Sequence, residues 1–87
     1  MKAEELKNAL ADLGGSITVD EERGRFIAVV VSPKFEGMNQ GERQHLVWQR
    51  VIDTLSSEDS VAIEFIFTYS PSEQARLDRG EAEEAQD

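Results

Sequence analysis

The chain has 87 residues, with 18 Asp plus Glu against 9 Lys plus Arg and a formal net charge of -9. That length allows one domain with a small core, and the charge balance opposes duplex nucleic acid and anionic membranes, both of which are held mainly through Lys and Arg. Cysteine is absent, which excludes disulfides, thiolate metal ligands and thiolate nucleophiles.

The N-terminal segment MKAEELKNAL carries charges where a secretory leader needs an apolar run, and no apolar stretch in the chain is long enough for a membrane span. The expectation is a soluble, cytoplasmic protein. Over residues 3–13, Leu6, Ala9, Leu10 and Leu13 fall at helical spacing, and Gly14-Gly15 stops the helix. Residues 16–22 alternate Ile17 and Val19 against Ser16, Thr18 and Asp20, the pattern of a half-buried strand. Arg23-Gly24 then predicts a hairpin turn into a second strand, 25–31, whose run FIAVVV is apolar on both faces and suits the centre of a sheet.

The second strand must end at Ser32-Pro33, because proline offers no N–H to a ladder and restricts the residue before it. Phe35 is the large apolar group of the following loop and is expected to fold back onto the core. Gly37 supplies the tight change of direction. Asn39 followed three residues later by Glu42 reads as a capping box, so a helix should begin near Gln40. Within that helix Val47, Trp48, Val51, Ile52 and Leu55 form an apolar stripe, with Arg43, Gln44, Arg50 and Asp53 assigned to the polar side.

The last strand, 61–69, reads VAIEFIFTY. Plain alternation puts Val61, Ile63, Phe65, Phe67 and Tyr69 toward the helices and leaves Ala62, Glu64, Ile66 and Thr68 on an open face that would serve as a mildly apolar contact surface. The segment between the second and third strands holds a helix and has the length of a parallel crossover. Beyond Tyr69 the composition turns acidic, predicting a short helical turn near residues 72–77 and then a disordered end.

The run Val29-Val30-Val31-Ser32-Pro33-Lys34-Phe35-Glu36-Gly37, continued by Arg43 and Leu46-Val47 and closed by Ser70-Pro71-Ser72-Glu73, resembles the signature of the BolA-like family. The resemblance spans residues 3 to 73. It implies a small α+β, KH-like sandwich of order αββαβ, with a three-stranded mixed sheet and helices on one face, occupying residues 1–73 and followed by an acidic tail at 74–87. It also implies a non-enzymatic adaptor or regulator that partners a monothiol glutaredoxin in iron-sulfur or iron homeostasis and shares a [2Fe-2S] cluster.

Residue by residue, the family's cluster ligands do not carry over. The histidine early in the last strand falls on Ala62, and the loop ligand falls within Glu22 to Arg25, where there is neither histidine nor cysteine. A third family histidine lies in an Arg-His-Arg run that here reads Arg43-Gln44-His45, displaced by one position and so rotated by about 100 degrees on a helix. No metal site is assigned, and His45 reads as a solvated helix residue. Ser32, Phe35 and Gly37 read as a structural signature.

Lys34, Glu36, Arg43, His45 and Arg50 are the candidate partner-binding residues. On this reading Arg43→Glu abolishes a contact at nearly constant stability, and Gly37→Val damages folding. The acidic pairs Glu21-Glu22 and Glu58-Asp59 lack the spacing of a calcium loop and read as solvated charge. Ser32, Ser70 and Ser72 sit beside prolines in turns, with no histidine paired to them in sequence. The alternative is a KH-like nucleic-acid-associated or transcriptional or translational regulator. A KH module clamps phosphates with a basic Gly-x-x-Gly loop, whereas Gly37 to Gly41 has one residue too many and no cation inside.

Overall fold

The computed structural model describes residues 2–78. Its elements run α1 (Ala3–Leu10), β1 (Ser16–Glu22), β2 (Arg25–Val31), α2 (Gln40–Thr54), α3 (Ser57–Ser60), β3 (Ile63–Tyr69) and α4 (Pro71–Asp78), with 3-10 turns at Ala11–Leu13 and Pro33–Phe35. The sheet order is β1-β2-β3. β1 pairs antiparallel with β2, from Ser16↔Val31 to Glu22↔Arg25, and β3 pairs parallel with β2. This is the expected α+β sandwich with a three-stranded mixed sheet, and the all-apolar strand is central.

Sequence dictates the joints. Arg23 (φ 56°) and Gly24 (φ 78°) make the hairpin turn, the double positive-φ geometry that matches strand twist. Asn39 Oδ1 accepts from the Glu42 N–H at 2.8 Å while Glu42 Oε1 accepts from the Asn39 N–H at 2.9 Å, so α2 starts where the capping box places it. Gly15 is required for a different reason. A Cβ built there would stand 1.8 Å from the Val31 carbonyl oxygen, so the backbone leaving α1 can lie against the end of β2 only without a side chain.

α1 and α2 pack together on one face of the sheet. Leu6, Leu10 and Leu13 meet Val47 and Val51 over Phe26, Ala28, Val30, Ile63 and Ile66, and Phe35 closes the cluster with 0% exposure. Phe35 thus folds back as expected. Burying such side chains contributes about 1.5–3 kcal/mol each before conformational entropy is set against it.

Two expectations are corrected. The first is the facing of the last strand. Phe26 pairs with Ile63 but Ile27 pairs with Phe65, a bulge that leaves Glu64 unpaired. The extra residue shifts the phase of alternation. Ile63, Ile66 and Thr68 therefore face the helices, while Phe65 and Phe67 are 49% and 41% exposed on the open face, opposite to the expected assignment. Val61 and Ala62 precede the strand, capping the short α3.

The second correction is the phase of α2. Arg43 is only 4% exposed, whereas Ile52 is 65% exposed and Trp48 half-buried. The buried row is Arg43, Val47 and Val51, at four-residue spacing on one face of the helix. The helical turn expected near 72–77 is α4, and the rest of the acidic tail lies beyond Asp78, outside the described residues. No helix among the described residues is long and apolar enough to cross a membrane.

Candidate partner-docking surface

The signature turn is organised by side chains that bind backbone. Ser32 is fully buried; its hydroxyl donates to the Leu13 carbonyl at 2.5 Å and accepts from the Lys34 N–H at 3.1 Å. One serine thereby ties the end of the first helical segment to the end of β2 and caps the 3-10 turn behind it. Gly37 follows at φ 78° with open space around it, so glycine is wanted there for backbone conformation alone.

Arg43 is the centre of this region. Its Nε donates to the Met38 carbonyl (3.0 Å), one terminal nitrogen to the Phe35 carbonyl (2.9 Å), and the other to the Thr68 carbonyl (3.4 Å) and to Glu73 Oε1 (2.6 Å). The guanidinium carbon lies 5.7 Å from the centre of the Phe35 ring, within cation–π range. A planar five-donor fork suits such a task, since it can serve several carbonyls and a carboxylate at once.

Glu73 completes the arrangement. Its Oε1 accepts from the Ser70 N–H at 2.8 Å, and its own N–H donates to Ser70 Oγ at 3.3 Å, the reciprocal pattern of a capping box at the start of α4. The hydrogen bond from Arg43, and then the bond from the Ser70 backbone, hold the Glu73 carboxyl below its ordinary value. Ser72 joins α4 to the signature turn by donating to Glu36 Oε1 at 2.9 Å.

The five candidate residues do not form one patch. Lys34 Nζ donates to the Asp12 carbonyl at 3.1 Å, and Arg50 Nε lies 2.8 Å from Asp12 Oδ2, so these two cations converge on the turn after α1. Glu36 belongs with Ser72 beside α4. His45 is exposed on another side of α2, lining a shallow depression with Met38, Leu46 and Gln49. Arg43 lies inside, correcting its assignment to the polar face: its charge is consumed by backbone carbonyls and Glu73.

Sequence reasoning missed Glu73 and Gln44 as members of the site. Gln44 Nε2 donates to the Ile66 carbonyl at 2.8 Å, and Gln40 Oε1 accepts from the Thr68 hydroxyl at 2.9 Å. With Arg43 on the Thr68 carbonyl, polar side chains of α2 occupy the outer edge of β3. The Ser-x-x-Glu spacing of Ser70 and Glu73 was a usable capping signal. For Gln44 there was none, because an edge contact across the fold has no local signature.

The residues present do not fit a [2Fe-2S] cluster. The position of the family's strand histidine holds the methyl group of Ala62, whose backbone groups are already engaged with Asp59 and Phe26. The hairpin turn offers Arg23 and Gly24, which are not ligands. Among the described residues no three His, Cys, Asp or Glu side chains are grouped to hold a metal ion.

Against known proteins, no family model and no curated protein sequence matches the chain. Solved structures do. A bolA protein homologue from Coxiella burnetii is similar with a TM-score of 0.65 and 23% identity, over 87% of this chain and 99% of that one. BolA1 from Arabidopsis thaliana matches at 0.62 and 22% identity, over 82% and 93% of the two chains. A bol-like protein from Babesia bovis matches at 0.61 and 19%, over 90% and 94%. Element order, sheet topology and three likenesses that span nearly the whole of each neighbour lead to one conclusion: this chain has the BolA-like fold.

Proposed function

We propose that the protein is a divergent member of the BolA-like family and works as a non-enzymatic adaptor or regulator in the cytoplasm, by contact with another protein. A monothiol glutaredoxin is the first candidate, bound without a cluster ligand from this chain. The observation that carries the reading is the likeness to a bolA homologue over 99% of that homologue's length.

The side chains agree with a contact role. Ser32 Oγ is spent on Leu13, Ser70 Oγ on Ser72 and Glu73, and His45 stands on the exposed side of α2. Lys34, Glu36, His45 and Arg50 remain the surface residues to probe, with Arg43 holding the surface in shape from beneath. No observation favours the nucleic-acid alternative. The segment from Gly37 to Gly41 carries no cation, and the nearest arginine is buried and engaged.

The test is anaerobic reconstitution with a monothiol glutaredoxin, iron, sulfide and glutathione, followed by visible circular dichroism and size-exclusion chromatography. The expected result is co-elution with the cluster spectrum of the glutaredoxin alone. A heterodimer with a spectrum of its own would overturn the claim that this chain supplies no ligand, and absence of any complex would overturn the partner.

A further inference from the structure

The bulge at Glu64 turns Phe65 and Phe67 of β3 away from the helices. On the open face, the register sets Ile27 against Phe65, Val29 against Phe67 and Val31 against Tyr69. Three cross-strand pairs thus form a two-column apolar ladder. Ile27, Phe65 and Phe67 are 37%, 49% and 41% exposed, and the two phenylalanine rings lie with centroids 4.6 Å apart at 35°. No described element covers this ladder: α1 and α2 bury the opposite face, and α4 leaves from the far end of β3.

The ladder is charged at one end only. Asp20 pairs with Ile27 and Glu22 with Arg25 across the hairpin, so these side chains share the open face. With Glu64, Glu21 of β1 and the turn residue Arg23 they surround a depression of four carboxylates and two guanidiniums that runs up to Ile27. We propose that this face is a docking surface for a cationic amphipathic helix of a partner protein, its apolar stripe on the ladder and its Lys or Arg residues over Asp20, Glu22 and Glu64.

Charge selects this occupant over a second copy of the chain. A copy would bring another -9, and like charges oppose close approach. Edge chemistry selects a helix over an added strand at β3, since the Ile66 and Thr68 carbonyls on its outer edge already accept from Gln44 and Arg43. A helix on the face needs only side-chain contacts. The ladder, Ile27 to Val31, is about 13 Å long at the usual strand rise, which about nine residues of helix would cover.

The inference rests on the adaptor reading and locates one surface for it. The probe is a fluorescein-labelled Leu/Lys amphipathic peptide, compared with a scrambled peptide of the same composition and with its Leu/Glu counterpart, by anisotropy and by amide chemical-shift mapping on the full chain. The expected result is binding of the Leu/Lys peptide alone, weakened by salt, with shifts at Ile27, Phe65 and Phe67. The double variant Phe65→Ser/Phe67→Ser should bind at least about tenfold more weakly, and Asp20→Lys should lose most of the salt-dependent part; unchanged thermal unfolding shows that both variants are folded.

Equal binding of the Leu/Glu or scrambled peptide, shifts confined to another surface, or no binding would overturn the proposal. So would self-association of the wild type in sedimentation that Phe65→Ser/Phe67→Ser abolishes, because a second copy would then own the face. Glutaredoxin capture by the wild type, measured beside the peptide titration, separates the two ideas: no capture defeats the glutaredoxin reading and leaves the peptide result standing, whereas peptide failure with capture intact defeats only this surface.

Discussion

Arg43 of α2 reaches Glu73 of α4 at 2.6 Å, across thirty residues of chain, with 5% of the arginine side chain and 38% of the glutamate side chain exposed. The same guanidinium serves the carbonyls of Phe35, Met38 and Thr68. One side chain therefore joins the signature turn, α2, β3 and α4.

Removing it should be costly. Arg43→Ala leaves three carbonyls without this donor and Glu73 without its cation, so a loss of about 3 kcal/mol is expected, with Arg43→Lys intermediate because an ammonium cannot reproduce the fork. Urea denaturation of the two variants checks this. A wild-type midpoint for Arg43→Ala would return the residue to the role of a surface contact.

Glu73 should give the protein a sensitivity to acid. Its folded carboxyl titrates below the ordinary value near 4.5, so the stabilisation is complete above that value and disappears as pH falls through the lower, folded value. Thermal scans from neutral to acid pH should show a steeper decline for the wild type than for Glu73→Gln, which lacks the effect at every pH. Because the carboxylate is partly exposed, solvent screening keeps the difference small, and added salt should reduce it further.

Two glycines with similar backbone angles should respond differently to alanine. Gly37→Ala meets open space and pays only for its positive φ, about 1 kcal/mol. Gly15→Ala adds a collision with the Val31 carbonyl oxygen and should be the more damaging of the two by a clear margin in denaturant midpoint. The damage expected at Gly37 from sequence is in this way reduced to a conformational cost for alanine, with β-branched valine somewhat worse.

Ser32→Ala should cost about 1–2 kcal/mol, because the hydroxyl is buried and the Leu13 carbonyl it serves would be left short of a donor. Ser32→Thr tests whether the space beside the hydroxyl matters as well. Hydrogen exchange would report the same loss as faster opening of the segment after α1.

Most of the fold was legible because its signals are local. Asn39 and Glu42 announce the start of α2, Gly14-Gly15 the end of the first helical segment, and Ser32-Pro33 the end of β2. The length between β2 and β3 gave the parallel crossover. What failed was phase. Arg43 was assigned by charge to the polar side, although its four-residue spacing from Val47 and Val51 marks the buried row. The facing of β3 failed because plain alternation cannot register an unpaired residue. Of the candidate site, Lys34, Glu36, His45 and Arg50 could be named, but not which of them share a neighbour, since Asp12 and Ser72 come from distant parts of the chain.

Glu64 makes β3 a sentence with one comma in it. With Glu64 set aside as the comma, Ile63 is read together with Ile66 and Thr68; were Glu64 instead paired as an ordinary residue of the strand, Ile63 would be read with Phe65 and Phe67. Because Ile63 and Phe65 already sit beside consecutive residues of β2, Phe26 and Ile27, excising Glu64 outright keeps the meaning: a regular strand with the same side chains inward. A single-residue deletion in the middle of an element is ordinarily ruinous to a sheet. Here it should be tolerated, and insertion of one more residue at the same place should not.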